Sequence, residues 1–107
     1  MTATTKALRQ SAYIANAEGD LFTATQKTII DKCNSSAVLA GNVTLRIVQE
    51  GGTPGDEHRQ AYKAFNINDG YSWPEIVGQT LEVGDKIRGV CTVASAVTLR
   101  LSGREIT

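Results

Sequence analysis

The sequence predicts an all-β fold: a single antiparallel β-sandwich, jelly-roll-like, of about eight short strands. Three observations lead to this prediction. Apolar residues recur at every second position in several segments, so that one face of each segment lies on a core and the other faces solvent. The same segments are rich in β-branched and aliphatic residues, which suit a pleated, half-buried surface. Clusters of glycine, asparagine and aspartate separate them at intervals of roughly 8–12 residues, as in a sandwich or barrel.

Residues 1–10 are rich in threonine and alanine and are expected to form a short N-terminal arm, which leaves residues 11–107 as the β-sandwich domain. A chain of 107 residues has the length of a single domain. At that size about two-thirds of the unfolded surface becomes buried, so a core can form without a metal or a disulfide.

Three segments show the clearest two-residue period and are expected to be the main strands. In residues 42–48, the apolar side chains of Val43 and Leu45 share one face, and residues 86–93 and 96–102 repeat this pattern. Weaker strand candidates are residues 11–15, 21–24, 27–33, 61–67, 73–77 and 80–83.

Turn-forming residues lie between these segments, at residues 18–20, 51–56, 68–70 and 84–85. Their glycines supply positive φ angles, and their aspartates and asparagines favour Asx turns. The sequence predicts no clear helix. Residues 56–63 could form one helical turn, but the glycines beside them limit its length.

The tetrapeptide Val-Thr-Leu-Arg occurs twice, at residues 43–46 and 97–100. A duplicated domain would show similarity well beyond these residues, whereas the following residues 49–52 and 103–105 differ. Two central strands meet the same physical requirement, with valine and leucine in the core and threonine and arginine on the outer face. We therefore interpret the repeat as structural convergence.

The eleven basic and eleven acidic side chains give a formal net charge of zero. This argues against nucleic acid as a partner, because such binders usually concentrate basic charge, and it favours protein–protein assembly. No apolar run reaches the ~18 residues of a membrane span, and residues 1–6 lack the apolar core of a signal peptide, so no membrane partner is expected. Cys33 and Cys91 are expected to be buried thiols that form no disulfide.

His58, the one histidine of the sequence, lies in the run Asp56-Glu57-His58. Three consecutive loop residues do not converge on one ion, so we expect a solvated charged loop, with no metal and no cofactor. The sequence contains no phosphate-binding glycine loop and no serine with a visible partner base, so it predicts no enzyme and no catalytic residues. Residues 66–70 favour an Asx turn over a calcium loop, because the calcium pattern is incomplete.

Tyr71 and Trp73, with Tyr62 nearby in the sequence, form an aromatic cluster that has three interpretations. The aromatic side chains could plug the end of the sandwich core, anchor a contact between subunits, or form a platform for a sugar ring. The sequence leaves these alternatives open.

Three motifs carry a resemblance to a known family. The first is Asn-Ser-Ser-Ala at residues 34–37, followed by Val-Thr-Leu-Arg-Ile-Val at 43–48. The second is the glycine-rich reversal at 50–56, and the third is the segment 81–88 followed by 94–106. In their order and spacing, residues 27–107 resemble short tailed-bacteriophage virion proteins, which are small β-sandwiches used as head decoration, fibre and collar components.

The resemblance implies a non-enzymatic structural protein located in the virion and assembled in the cytoplasm of the host bacterium. In first place it implies a capsid decoration (cement) subunit that binds the major capsid lattice, and in second place a head or tail fibre or collar-spike component. Such proteins usually assemble as homo-oligomers, with a trimer favoured here. The partners would be the major capsid protein or the fibre and collar proteins.

Seven residues are the candidates for the interface of such an assembly. Tyr71 and Trp73 would be its buried anchors, because aromatic side chains dominate binding energy at interfaces. Charged side chains would form its rim, together with the His58 loop; they are Arg46, Arg100, Asp56, Glu57 and His58. A carbohydrate-binding module, in which Tyr71, Trp73 and Asp69 would hold a glycan, is the alternative from a different class of protein.

Overall fold

The computed structural model describes residues 2–107, with residue 56 described by its backbone alone. Nine β-strands and one short 3-10 helix, Asp56–His58 between β4 and β5, make up the regular structure of this part of the chain. The strands are β1 (Ala3–Tyr13), β2 (Gly19–Thr23), β3 (Lys27–Ser36), β4 (Gly41–Val48), β5 (Arg59–Phe65), β6 (Gly70–Ser72), β7 (Thr80–Leu81), β8 (Lys86–Cys91) and β9 (Thr98–Ile106).

The strands form two antiparallel sheets. The first has the order β1-β9-β3-β6, with the short β7 also paired to β3, and the second has the order β2-β8-β4-β5. Leaving out β7, the strands of each sheet follow the order that defines a jelly roll, in which two Greek keys fold into a sandwich. The predicted all-β, jelly-roll-like sandwich is therefore confirmed.

The core lies between the two sheets and is filled by the inward side chains of alternate residues. The first copy of the repeated tetrapeptide lies on β4, and the second begins one residue before β9 and continues into it. Both strands have neighbours on both sides, β4 in the second sheet and β9 in the first. Leu45 and Leu99 are fully buried, while Thr44 and Thr98 are only partly buried, as the alternation predicts. The largest fully buried side chains are Trp73, Ile14, Ile30, Leu45, Ile76, Leu81, Ile87, Leu99 and Leu101.

The N-terminal segment differs from the expected arm. Residue 1 lies outside the described residues, but residues 3–10 form most of β1, which pairs antiparallel with β9. Leu8 is partly buried and packs against the core cluster. The sequence suggested an arm because residues 1–10 are mostly polar and show no apolar alternation. The strand forms nevertheless, because backbone hydrogen bonds to β9 do not depend on side-chain hydrophobicity.

Residues 73–77, expected as a strand, instead form consecutive turns. The carbonyl of Trp73 accepts hydrogen bonds from the backbone N–H groups of Ile76 and Val77 at 3.2 and 3.1 Å. Pro74 has no N–H with which to extend a ladder, which favours a turn at this point.

Gly103 on β9 allows β9 and β3 to approach closely. The pairing of β3 with β9 shifts register between Ile30 and Lys32, which marks a β-bulge at Asp31. A Cβ atom on Gly103 would lie 2.2 Å from the backbone oxygen of Ile29, well inside van der Waals contact. A side chain at this position therefore requires the two backbones to separate.

The two cysteines are free and fully buried, Cys33 on β3 and Cys91 on β8. Loss of solvation by burial, and then the negative charge of Glu75, raise the pKa of the Cys33 thiol to about 12. The prediction of buried thiols without a disulfide is confirmed.

Replacement of Gly103 by alanine should destabilise the fold. We expect Gly103→Ala to lower the free energy of unfolding by about 1–3 kcal/mol, because the added methyl group overlaps backbone that cannot rotate away. Gly19→Ala is the matched control, since a Cβ atom on that strand glycine meets no atom within 4 Å. Chemical denaturation of both variants checks this, and equal stability of the two variants would contradict the close approach.

The native thiols should resist modification. At pH 8 we expect neither Cys33 nor Cys91 to react with an aromatic disulfide reagent in the folded protein, because both are inaccessible and the Cys33 thiolate is strongly disfavoured. Two equivalents should react at once after unfolding in guanidinium chloride. If a thiol of the folded protein reacted as fast as the thiols of the unfolded chain, the core would have to open on that timescale, which would contradict this expectation.

Candidate interaction surface

Several chain connections meet at one end of the sandwich. Antiparallel pairing places Gly41 opposite Phe65 and Val43 opposite Cys91, so the β3–β4, β5–β6 and β8–β9 connections leave the sheets on the same side. β1 ends at this side too, since Tyr13 lies opposite Thr98. We refer to this part of the molecule as the loop end.

Backbone hydrogen bonds join these connections to one another. The N–H of Ala37 donates to the carbonyl of Asp69 at 2.8 Å, and the N–H of Asn68 donates back to the carbonyl of Ala37 at 2.9 Å. The N–H of Val38 donates to the carbonyl of Ala96 at 2.8 Å. The loop end is therefore a connected surface in which each loop is held by its neighbours.

The β5–β6 turn is closed by a side chain. The N–H of Asn66 donates to Oδ2 of Asp69 at 2.8 Å, and the N–H of Asp69 donates back to the carbonyl of Asn66 at 3.1 Å. Asn68 has a φ of 70°, a left-handed conformation that asparagine tolerates better than most residues. The expected turn between the strands is present, and it holds Ile67 outward at its tip. It is not an Asx turn, because the Asp69 carboxylate accepts from the N–H three residues before it and not two residues after it.

Exposed apolar side chains concentrate at the loop end. Among the described residues, five of the eight large apolar side chains that are exposed lie there. They form the loop-end patch, which consists of Tyr13, Val38, Leu39, Ile67 and Val93. Sequence reasoning missed these residues; the available signal was an apolar residue inside a turn sequence, such as Ile67 between two asparagines. Apolar side chains grouped on a surface are typical of interaction sites, which makes the loop-end patch the candidate surface of this protein.

The predicted aromatic anchor Trp73 does not reach the surface. Its side chain is fully buried, its Nε1–H donates to Oγ of Ser35 at 2.8 Å, and its ring lies 5.8 Å from that of Phe65 and 5.1 Å from that of Tyr71. This corrects the expectation that Trp73 anchors a partner, because a buried ring cannot contact one. Of the three interpretations of the cluster, the core plug describes Trp73.

Tyr71 lies at the boundary of this cluster. It is partly buried, and the ammonium group of Lys63 lies 4.9 Å from the centre of its ring, a cation–π contact. The hydroxyl of Tyr71 lies 3.5 Å from Oε1 of Glu75. Desolvation, and then the charge and hydrogen bonding of Glu75, raise the pKa of Tyr71. The exposed part of its ring is thus small and already has a cationic neighbour.

Arg46 belongs to a charge network on the outer face of the second sheet. Arg46 lies directly opposite Arg88 on β8, and the carboxylate of Glu18 lies between these two like charges. Glu18 forms a hydrogen-bonded ion pair with Arg46 and lies 3.6 Å from Nε of Arg88. Arg88 also pairs with Asp20, which lies 3.6 Å from Nζ of Lys86. Arg46 was expected at an interface rim, but its charge is engaged within the chain.

The remaining candidates lie in two separate places, on β9 and in the 3-10 helix. Arg100 is exposed on β9, and Glu57 is exposed within the 3-10 helix. Nδ1 of His58 accepts a hydrogen bond from the N–H of Gly55 at 3.2 Å, so this ring stabilises its own loop. The side chain of Asp56 lies outside the described residues. Arg100 and Tyr71 lie on strands of the first sheet, whereas the 3-10 helix contacts β4 of the second sheet, so these candidates do not form one surface.

Residues 2–107 contain neither a cluster of metal ligands nor a membrane-spanning helix. No group of three or more histidine, cysteine, aspartate or glutamate side chains is arranged to hold a metal ion in that range. The same residues contain no helix whose length and hydropathy would let it cross a membrane.

The first sheet carries an open depression of about 300 Å³ on its outer face. In it, Asp31 already accepts hydrogen bonds from Nε and Nη2 of Arg104 at 3.1 to 3.2 Å. The lining residues are Thr5, Lys6, Asp31, Lys32, Ser102 and Gly103. With its one carboxylate engaged, this depression offers a weaker basis for a functional site than the loop-end patch.

Comparisons of the chain with models of protein families, with curated proteins and with solved structures found no match.

Removal of the Glu18 charge should destabilise the second sheet. We expect Glu18→Gln to lower the free energy of unfolding by about 1 kcal/mol, because Arg46 and Arg88 then face each other without the carboxylate between them. The loss should shrink in 1 M NaCl, where charge repulsion is screened.

Glu82→Gln is the control for this measurement, since Glu82 is exposed and lies 3.9 Å from the ammonium group of an exposed lysine, Lys27. It should leave stability unchanged at low and high salt. Equal effects of the two substitutions, measured by thermal and chemical denaturation, would contradict the role assigned to Glu18.

Proposed function

We propose that this protein is a non-enzymatic structural component of a tailed-bacteriophage virion, and specifically a capsid decoration subunit. In this proposal the loop-end patch binds the major capsid lattice. The motifs between residues 34 and 106 support it through their resemblance to phage virion proteins. The jelly-roll order of the sheets is compatible with it, since this architecture recurs in viral capsid proteins.

The single observation that carries the proposal is the concentration of exposed apolar side chains at the loop end. These side chains are 40–59% exposed, so each would stabilise a complex by roughly 1 kcal/mol when the rest of it is removed from water. A patch of this kind is costly on an isolated protein and useful on a subunit that works bound to a larger particle. Many copies on one particle would add their contacts, so that weak binding by each subunit suffices.

The rigidity of the loop end supports a binding role. Its loops are fixed to one another by backbone hydrogen bonds, and the tip at Ile67 is held by the turn that the Asp69 carboxylate closes. Because little conformational freedom is lost when such a surface docks, more of the apolar burial appears as binding free energy. The charges of Glu18 and Arg88 pair with each other on the outer face of the second sheet.

A fibre or collar-spike component is the second candidate. The molecule measures 43 × 27 × 19 Å, and a patch at one end also suits attachment by that end. The number of copies per particle separates the two roles, because decoration covers the lattice whereas fibres and collars occupy one or a few positions.

The glycan platform has less support. Its proposed stacking residue Trp73 is fully buried, and Asp69 is engaged in the turn with Asn66. Tyr62 is exposed on β5, but the guanidinium of Arg59 lies 5.4 Å from the centre of its ring.

The proposal is tested on capsids of the phage whose genome encodes the chain, prepared from a strain in which the gene is deleted. Purified protein is added back, bound protein is measured by sedimentation, and the decorated particles are imaged by electron cryomicroscopy. We expect saturable binding at lattice-wide positions. Binding at one vertex or at the tail would favour the fibre or collar role, and no binding to any virion component would refute the proposal.

A pair of variants tests the surface. Ile67 at the loop end is 59% exposed, and Val83 at the opposite end of the sandwich is 57% exposed. We expect Ile67→Asp to weaken capsid binding by about tenfold or more, since it places a charge in a desolvated contact. Val83→Asp, with the same change in chemistry, should bind as the wild type does. Equal binding of the two folded variants would exclude the loop-end patch as the contact.

A further inference from the structure

The first strand has a free edge. β1 pairs with β9 on one side, and no described strand pairs with its other side. Thr2 and Thr107 exchange two backbone hydrogen bonds, at 2.8 and 2.9 Å. This hydrogen-bonded pair shows which residues of β1 direct their backbone groups toward β9. In such a ladder, alternate residues direct their N–H and C=O groups to opposite sides. Ala3, Thr5 and Ala7 therefore direct theirs to the free edge.

The other sheet edges carry features that discourage pairing with another chain. On the far edge of the first sheet, β6 has three residues and β7 has two. In the second sheet, β2 has five residues and a register shift. Its other edge, β5, carries the charged side chains of Arg59 and Lys63.

The second half of β1 is protected in the same way. Its pairing shifts register on both sides of Arg9, and the Arg9 guanidinium donates to the carbonyls of Leu99 and Ala12 at 2.8 and 3.2 Å. The first half, residues 3–7, pairs with β9 in unbroken register and contains no proline. Its one charged side chain, Lys6, is neutralised by Glu105 at 3.3 Å.

Residues 3–7 are also complementary to themselves in the antiparallel direction. Pairing about Thr5 places Ala3 opposite Ala7 of a second copy, and Thr5 opposite its own counterpart. Lys6 then lies opposite Thr4, so that no like charges meet across the new strand pair. The side chains at the outward-directed positions are small, and all three are exposed.

We propose that the free edge of β1 binds a second copy of this chain, through antiparallel β1–β1 pairing about a two-fold axis at Thr5. The first sheets of the two copies become one continuous sheet, joined by about six backbone hydrogen bonds from three facing pairs. A two-fold pairing is closed and isologous, so it stops at the dimer. This inference does not depend on the capsid role, and it differs from the trimer that the phage resemblance implies.

Engineered cysteines test the register. Residues that face each other in a hydrogen-bonded antiparallel pair have Cα atoms about 5.5 Å apart, a distance that a disulfide can span. Under mild oxidation, Thr5→Cys should therefore form a covalent dimer, whereas Ala3→Cys alone should form at least about tenfold less. An equimolar mixture of Ala3→Cys and Ala7→Cys should form the mixed dimer. The native Cys33 and Cys91 are buried and do not interfere.

A second variant tests the pairing without cysteine chemistry. Thr5→Pro removes an N–H that points to the free edge and leaves the hydrogen bonds to β9 in place, so circular dichroism should show an unchanged fold. Because the contact is short, we expect weak dimerisation, so sedimentation equilibrium is measured at protein concentrations up to about millimolar. Over this range the wild type should dimerise and Thr5→Pro should stay monomeric.

Several results would overturn the proposal. They are a wild-type chain that stays monomeric over this range, a trimeric mass, and cross-linking of Ala3→Cys alone as efficient as that of Thr5→Cys. Capture of an extended segment of another protein by a monomeric chain would also overturn it, because the edge would then serve a different partner. A dimer that fails to bind capsids would leave this inference standing and refute only the capsid role.

Discussion

The fold depends on the packing of β9 between β1 and β3. This strand is hydrogen-bonded on both sides, and its inward side chains Leu99 and Leu101 are fully buried in the core. Its C-terminal part comes so close to β3 that only a glycine fits at position 103. β9 therefore sets the register of both β1 and β3, and β1 pairs with no other described strand.

Several charged side chains on the outer faces of the sandwich are paired with each other. On the second sheet, Glu18 lies between Arg46 and Arg88, and on the first sheet Asp31 pairs with Arg104. Side chains held in such pairs give a partner less electrostatic attraction than their number suggests, because the field of each charge is largely cancelled nearby. The two surfaces proposed for binding are instead apolar, at the loop end, and made of backbone groups, at the free edge of β1.

The sequence predicted the parts of the fold in which side-chain chemistry decides the structure. Alternation of apolar residues identified β4, β8 and β9, because their inward faces must fill the core. It failed for the first half of β1, where the pairing is made by backbone groups and side chains such as Thr5 stay exposed. It also failed at Trp73, whose burial depends on a turn and on the distant Ser35 and Phe65.

The candidate surface was less predictable than the fold. In the sequence, Val38 lies in the apolar run 37–40, Val93 continues the alternation of residues 86–93, and Ile67 stands between two asparagines. No local pattern marks these residues as parts of one surface. They become a surface only because the jelly-roll order brings distant connections to one end, a non-local consequence of the strand pairing. Charged residues such as Arg46 drew attention in the sequence, but the structure gives them partners within the chain.

The two proposed surfaces have a geometric relation that follows from the direction of β1. This strand runs toward the loop end, where it terminates at Tyr13, and the proposed pairing lies near its other terminus, about Thr5. Antiparallel pairing there directs the loop ends of the two copies away from each other. The proposed dimer would therefore carry one apolar patch at each extremity and could bridge two separate binding sites. Two such contacts on one rigid body strengthen attachment through effective concentration, with no increase in the affinity of either patch.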